Sequence, residues 1–236
     1  MGGHVDAEAF SNELAELKRG GCNVLVASDA PGRDPACERL LGAPELDRHH
    51  VFLTTAADVQ TVLDRHRPRR TDPGSFAVVD ASPSTRSAAA ASPSAPQPVV
   101  ARYADEPWYD HVPALADFGA VFETTRRALD RVATGADGPG EVRLCLDGLD
   151  PFFDAVDRGE AAEDALFRFL HMLTGEVRDA DGMGHAHVST TVDDDVLATF
   201  EPLFDATLTI ETTETGGARQ RWRLHESGRV TDWFEF

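Results

Sequence analysis

Asn23-Val24-Leu25-Val26-Ala27-Ser28-Asp29-Ala30-Pro31-Gly32-Arg33-Asp34-Pro35-Ala36 is the stretch whose reading decides the fold. An apolar run from Val24 to Ala27 meets a turn at Asp29, Pro31 and Gly32, and a helix start is written into Asp34-Pro35, because Asp is favoured at the N-cap and Pro at the first helical position. A strand without polar alternation is covered on both faces, as in a parallel sheet joined by helical crossovers. Similar runs recur at His50–Thr55, Phe76–Asp80 and Val142–Asp147, with shorter ones at His185–Val188 and within Leu203–Ile210. Between them stand helical patterns. Val59, Val62 and Leu63 give one helix its inner face before Pro68, and Leu115, Phe118, Val121, Phe122, Thr125 and Leu129 line another that Gly135 ends. A long helix runs from Ala161 to Arg178. Residues 6–19 predict an N-terminal helix with Phe10, Leu14 and Leu17 on its sheet-facing side, stopped by Gly20-Gly21.

The tail predicts three antiparallel strands, Ala206–Thr212, Arg219–Leu224 and Val230–Phe234, with turns at Gly216-Gly217 and Ser227-Gly228. Trp222, Trp233 and Phe236 are expected to pack there. The fold class is therefore α/β, a three-layer sandwich with a mostly parallel central sheet and antiparallel C-terminal strands, in a single domain over residues 1–236. Residues 81–98, rich in Ala, Ser and Pro, lack the apolar surface to offset their ordering entropy and read as a flexible insertion.

Laid over the phosphate-binding pattern G-x-x-x-x-G-K-[ST], the opening stretch loses its chemistry while keeping its frame. Asp29 and Asp34 stand for the glycines, Pro35 for the lysine that reaches the phosphates, and Ala36 for the Mg²⁺-binding hydroxyl, with Gly32 between them. The run Val142-Arg143-Leu144-Cys145-Leu146-Asp147 looks like a Walker B strand ending in its acid. With the order of the remaining elements, this resembles the RecA-like P-loop ATPases, most closely the circadian-clock-type (KaiC-like) and archaeal recombinase-paralogue domains in a degenerate form of halophilic archaea. The resemblance covers roughly residues 20 to 236. It implies a RecA-like P-loop NTPase fold, and it implies a catalytic glutamate just past the second strand, where Thr54-Thr55-Ala56-Ala57 offers no carboxylate. A pseudo-ATPase is the expectation: no catalytic residue, no cofactor, no metal, and a degenerate nucleotide loop at Asp29, Gly32, Asp34, Pro35 and Ala36 beside a remnant Asp147.

Charge and cysteine usage bound the alternatives. The net charge is −19, with 21 Arg and one Lys against 25 Asp and 16 Glu. Such a surface suits molar salt, where the Debye length is about 3 Å. It argues against nucleic acid as partner, which would need a basic stripe. Arg65-His66-Arg67-Pro68-Arg69-Arg70 is the one dense basic run, and it reads as a helix C-cap without aromatics to stack on bases. Cys22, Cys37 and Cys145 form no C-x-x-C pattern, so the sequence indicates neither disulfide framework nor structural zinc. His185 and His187 alternate and share one strand face, but sequence names no third ligand beyond His171 and His225 by composition. No signal-peptide or membrane-spanning run is evident, which predicts a cytoplasmic protein.

Three functions stay in play: a non-hydrolysing regulatory or signalling module that binds protein, itself or an active RecA-like relative; an ATPase with an unorthodox loop; and a recombination-accessory DNA binder. The charge alone generates a measurable consequence. Thermal melts from molar KCl down to 0.1 M are expected to show a clear fall in Tm as the Debye length grows to about 10 Å and the acidic surface repels itself. An unchanged Tm would remove salt adaptation as the reason for the charge.

Overall fold

The computed structural model describes residues 3–28, 30–43, 45–66, 72–82, 99–213 and 216–235. Among them nine strands form one sheet: β1 (Cys22–Ser28), β2 (His49–Thr54), β3 (Phe76–Asp80), β4 (Tyr109–His111), β5 (Val142–Leu146), β6 (Met183–Ser189), β7 (Ala206–Thr212), β8 (Ala218–Leu224) and β9 (Phe234–Glu235). Their order across the sheet is β4-β3-β2-β5-β6-β1-β7-β8-β9. Every pairing from β4 to β7 is parallel, and β8 and β9 add antiparallel strands at one edge. The helices are α1 (Gly3–Arg19), α2 (Ala30–Leu41), α3 (Val59–His66), α4 (Val99–Tyr103), α5 (Phe118–Ala133), α6 (Asp150–Asp157), α7 (Glu163–Asp179) and α8 (Asp194–Phe200).

The pleat divides each strand between two helix layers. Leu25, Val51, Leu53, Val79, Leu144 and Leu146 face the layer that contains α5, α6 and α7, where Val121, Leu129, Phe152, Phe169 and Leu170 complete the larger core. On the opposite face, Val24 and Val26 meet Ala36 and Leu40 of α2, while Phe52 and Val78 meet Cys37 and Leu41 of α2 and Val59 and Val62 of α3. The runs Val24–Val26, Val78–Val79 and Leu144–Leu146 are buried as their composition demands. Phe10, Leu14 and Leu17 of α1 pack against this second layer, with the Phe10 ring 6.2 Å from that of Trp222. The stop between α1 and β1 needs glycine: Gly21 has φ +77°, and a Cβ there would meet the Arg178 backbone at 3.1 Å. Helix α5 starts at Asp117, whose side chain accepts from the Ala120 N–H at 2.9 Å.

Several boundaries differ from the sequence reading. Helix α2 begins at Ala30, so Asp34-Pro35 is not its N-cap and Pro35 sits inside it; the apolar positions Ala36, Cys37, Leu40 and Leu41 bind the helix to the sheet strongly enough to tolerate the backbone bond that proline lacks. The third tail strand shrinks to Phe234–Glu235 plus an isolated bridge from Arg223 to Val230. Trp222 is buried, but Trp233 is half-buried under Arg219 and Arg221, whose guanidinium carbons lie 4.6 and 4.8 Å from its ring. Phe236, Arg67 to Arg70 and most of the 81–98 segment lie outside the described residues. None of the described helices is long and apolar enough to cross a membrane.

The core of the first layer gives a direct test of packing. Phe152 is fully buried, with the Phe118 and Phe169 rings 5.6 and 5.2 Å away. Phe152→Ala is expected to cost about 3–5 kcal/mol in denaturant unfolding at high salt. A loss below about 1 kcal/mol would show that the layer repacks around the gap.

Candidate functional site

Ligands of open parallel sheets bind beyond the carboxyl ends of the strands. At that edge, β1 ends at Ser28 and α2 begins at Ala30; Asp29 lies outside the described residues. Gly32 falls within the first turn of α2. Asp34 is half-buried, Pro35 exposed, and Ala36 fully buried against the sheet, so the residue standing for the metal-binding hydroxyl is core.

Asp147 directly follows β5 and is buried. Its Oδ1 accepts from the N–H groups of Thr55 at 2.7 Å and Ala56 at 3.1 Å, and its Oδ2 from the N–H of Ala57 at 2.7 Å. The Thr55 hydroxyl stands 3.0 Å from the same carboxylate and 2.5 Å from the Gly148 carbonyl. A residue read as a remnant thus fastens the end of β5 to the segment after β2, the place where the resemblance would put a catalytic glutamate. The next acid along the edge is used in the same way. Asp80, at the end of β3, accepts from the Tyr109 hydroxyl at 2.8 Å and from the Ser82 N–H at 3.0 Å. Burial and this carboxylate push the Tyr109 phenol well above its ordinary range.

A second constellation lies under α2. Cys145 and His185 are direct neighbours across β5 and β6, and His187 follows two residues on along β6, on the same face. Cys37 reaches down from α2. The Sγ atoms of Cys37 and Cys145 are 3.3 Å apart, Cys37 Sγ is 3.3 Å from His185 Nε2, and the two imidazoles meet edge to face at 5.1 Å. All four residues are buried, and one donor atom from each lies within 4.8 Å of the others. The Cys145 thiol beside it, and the His185 and His187 rings, hold the Cys37 thiol well below the ordinary range against the opposing effect of burial.

Sequence reading paired the two histidines on one face but found no ligand to join them and saw no metal pattern in the cysteines. The partners come from α2 and β5, and only strand register and helix docking reveal them. The other named candidates go elsewhere. His171 is exposed on α7, and His225 bonds the Phe204 carbonyl and the Thr207 hydroxyl. Cys22, beside Met183 at the start of β1, is separate from the cluster; burial, aided by Asp205, pushes its thiol up to about 11.

Fold and site together define an α/β protein in which the acids at the ends of β3 and β5 accept from neighbouring protein groups and Cys37, Cys145, His185 and His187 are buried together beneath α2. The chain belongs to the family of unknown function DUF7504, whose model matches residues 21–210. Among solved structures it is similar to an uncharacterized protein from Pyrococcus horikoshii crystallised in complex with an unknown peptide, at 12% identity and a TM-score of 0.59, over 92% of this chain and 88% of that one. No curated protein matches.

Replacing Asp147 tests the fastening. Asp147→Ala removes the acceptor of three N–H groups and is expected to destabilise the protein by about 2–4 kcal/mol, with a smaller loss for Asp147→Asn, which keeps one carbonyl oxygen. Equilibrium denaturation of both variants reads it, and a loss within about 0.5 kcal/mol would show that the contact is dispensable.

Proposed function

We propose that this protein is a non-hydrolysing, RecA-like pseudo-ATPase that acts as a regulatory or signalling module by binding protein. The single observation carrying this reading is the engagement of Asp147: a carboxylate whose two oxygens already accept three backbone N–H groups is committed to the protein, which leaves it less capacity to hold a hydrated Mg²⁺. Two further features support it. The stretch from Asp29 to Ala36 carries a single glycine, Gly32, in place of the glycine-rich run that cradles phosphates, and Pro35 and Ala36 supply neither ammonium nor hydroxyl. Asp34 adds negative charge near the helix start, where a phosphate would have to sit. The partner is a protein: another copy of this chain, an active RecA-like relative, or a peptide segment of the kind that accompanies the Pyrococcus horikoshii structure. The acidic surface disfavours nucleic acid.

Calorimetric titration with Mg-ATP in molar KCl tests this directly. The expected result is no binding in the micromolar range, since each lost charge-assisted phosphate contact costs about 1.5–3 kcal/mol and every 1.4 kcal/mol is tenfold in Kd. Micromolar affinity, or ATP turnover that Asp147→Ala abolishes, would instead establish the unorthodox ATPase.

A further inference from the structure

We propose that Cys37, Cys145, His185 and His187 bind a structural zinc ion that ties helix α2 to the sheet. The donor set comes first. Two cysteine sulfurs and two imidazole nitrogens are the ligands that tetrahedral Zn²⁺ selects, and four protein ligands close the coordination sphere, as in sites that hold structure rather than perform catalysis.

Geometry comes second. With Zn–S about 2.3 Å and Zn–N about 2.0–2.1 Å, a tetrahedral site has donor–donor edges of about 3.3–3.8 Å. Two of the observed separations are 3.3 Å and all lie within 4.8 Å, so the widest exceeds a tetrahedral edge by no more than about an ångström. The β5–β6 register fixes three of the ligands on a rigid sheet face; Cys37, on α2, is the one that couples a separate element to them.

Charge balance comes third. The four side chains are 2–3% exposed, in surroundings of Phe52, Leu41 and Val26. Two thiolates and two neutral imidazoles around Zn²⁺ carry no net charge, which is what such an interior requires. Binding deprotonates both thiols, and the two protons pass to solvent. One buried polar atom of the cluster points to a ligand: Nδ1 of His185 has no hydrogen-bond partner among the described residues. The site lies beneath the helix that follows β1 and is independent of whether nucleotide binds above it.

The test uses the full chain, purified without a metal-affinity step under reducing conditions in molar KCl. Elemental analysis is expected to find one zinc per chain that survives gel filtration. Cobalt(II) added to stripped protein should give the intense visible bands of tetrahedral coordination together with thiolate charge-transfer absorption. Cys145→Ser and His187→Gln should each weaken metal affinity by about 100-fold or more, and Cys22→Ser should leave the cobalt spectrum unchanged. The wild-type stoichiometry and spectrum stand even if a ligand variant fails to fold. Protein that retains no metal and gives only the weak spectrum of octahedral cobalt would overturn the proposal. So would a Cys37–Cys145 disulfide found by mass spectrometry in freshly isolated protein, or a Cys22→Ser variant as impaired as Cys145→Ser.

Discussion

Strands β1, β5 and β6 have a helix layer on each face and neighbours on both edges, so apart from Ser189 at the end of β6 their residues are buried. That constraint organises the molecule. Apolar residues meet it by sorting between layers: Leu144 and Leu146 pass to α5 and α7, while Cys145 faces the side of α2 and α3. Polar residues must find partners inside, because a buried group left unpaired costs about 1–3 kcal/mol. Asn23 does so through its side-chain amide, which donates to the Thr174 carbonyl of α7 at 3.0 Å, while its backbone N–H donates to Asp205 at 2.7 Å. Asp205 in turn takes the Arg178 guanidinium at 3.1 Å, joining the start of β7 to the end of α7.

The same constraint gives the acids at the carboxyl edge their character. Asp80 and Asp147 each stand at the end of a parallel strand, where free N–H groups of the following loop collect. In a sheet that opens to a ligand those donors face outward. Here Thr55, Ala56 and Ala57 turn them onto Asp147, and Ser82 turns its own onto Asp80. The edge consumes its own polarity, and the remaining chemistry withdraws into the layer below, among Cys37, Cys145, His185 and His187.

How much of this the chain discloses depends on the range of each interaction. Strands such as Phe76–Asp80 and Ala206–Thr212 were legible to the residue, because an apolar run in the first, apolar–polar alternation in the second and turn glycines are local signals. Strand β4 was not: Tyr109-Asp110-His111 has no apolar run and is held by one neighbouring strand and by the Tyr109 contact to Asp80. Helix α2 was misplaced at its start because Asp34-Pro35 is a strong local start signal, an N-cap followed by the residue favoured at the first helical position, whereas the folded helix begins a turn earlier at Ala30. The Asp147 contact spans 92 residues and the Cys37–His185 contact 148, so neither residue type nor spacing could announce them. Alternation alone placed His185 and His187 together; the register that puts Cys145 beside them exists only in the folded sheet.

The position of β1 also bears on how the protein is made. Its two hydrogen-bonding neighbours, β6 and β7, start about 160 and 180 residues later in the chain. At about 5–20 residues per second, a ribosome needs roughly 8 to 36 seconds to deliver them after β1 emerges. Throughout that interval the apolar run Val24 to Ala27 has neither edge partner, and the two helices that flank it in sequence, α1 and α2, both shelter the same face. The nascent chain is therefore an open-edged intermediate for most of its synthesis, and its exposure to chaperones and to misassembly is set by the connectivity of the sheet rather than by the stability of the finished fold.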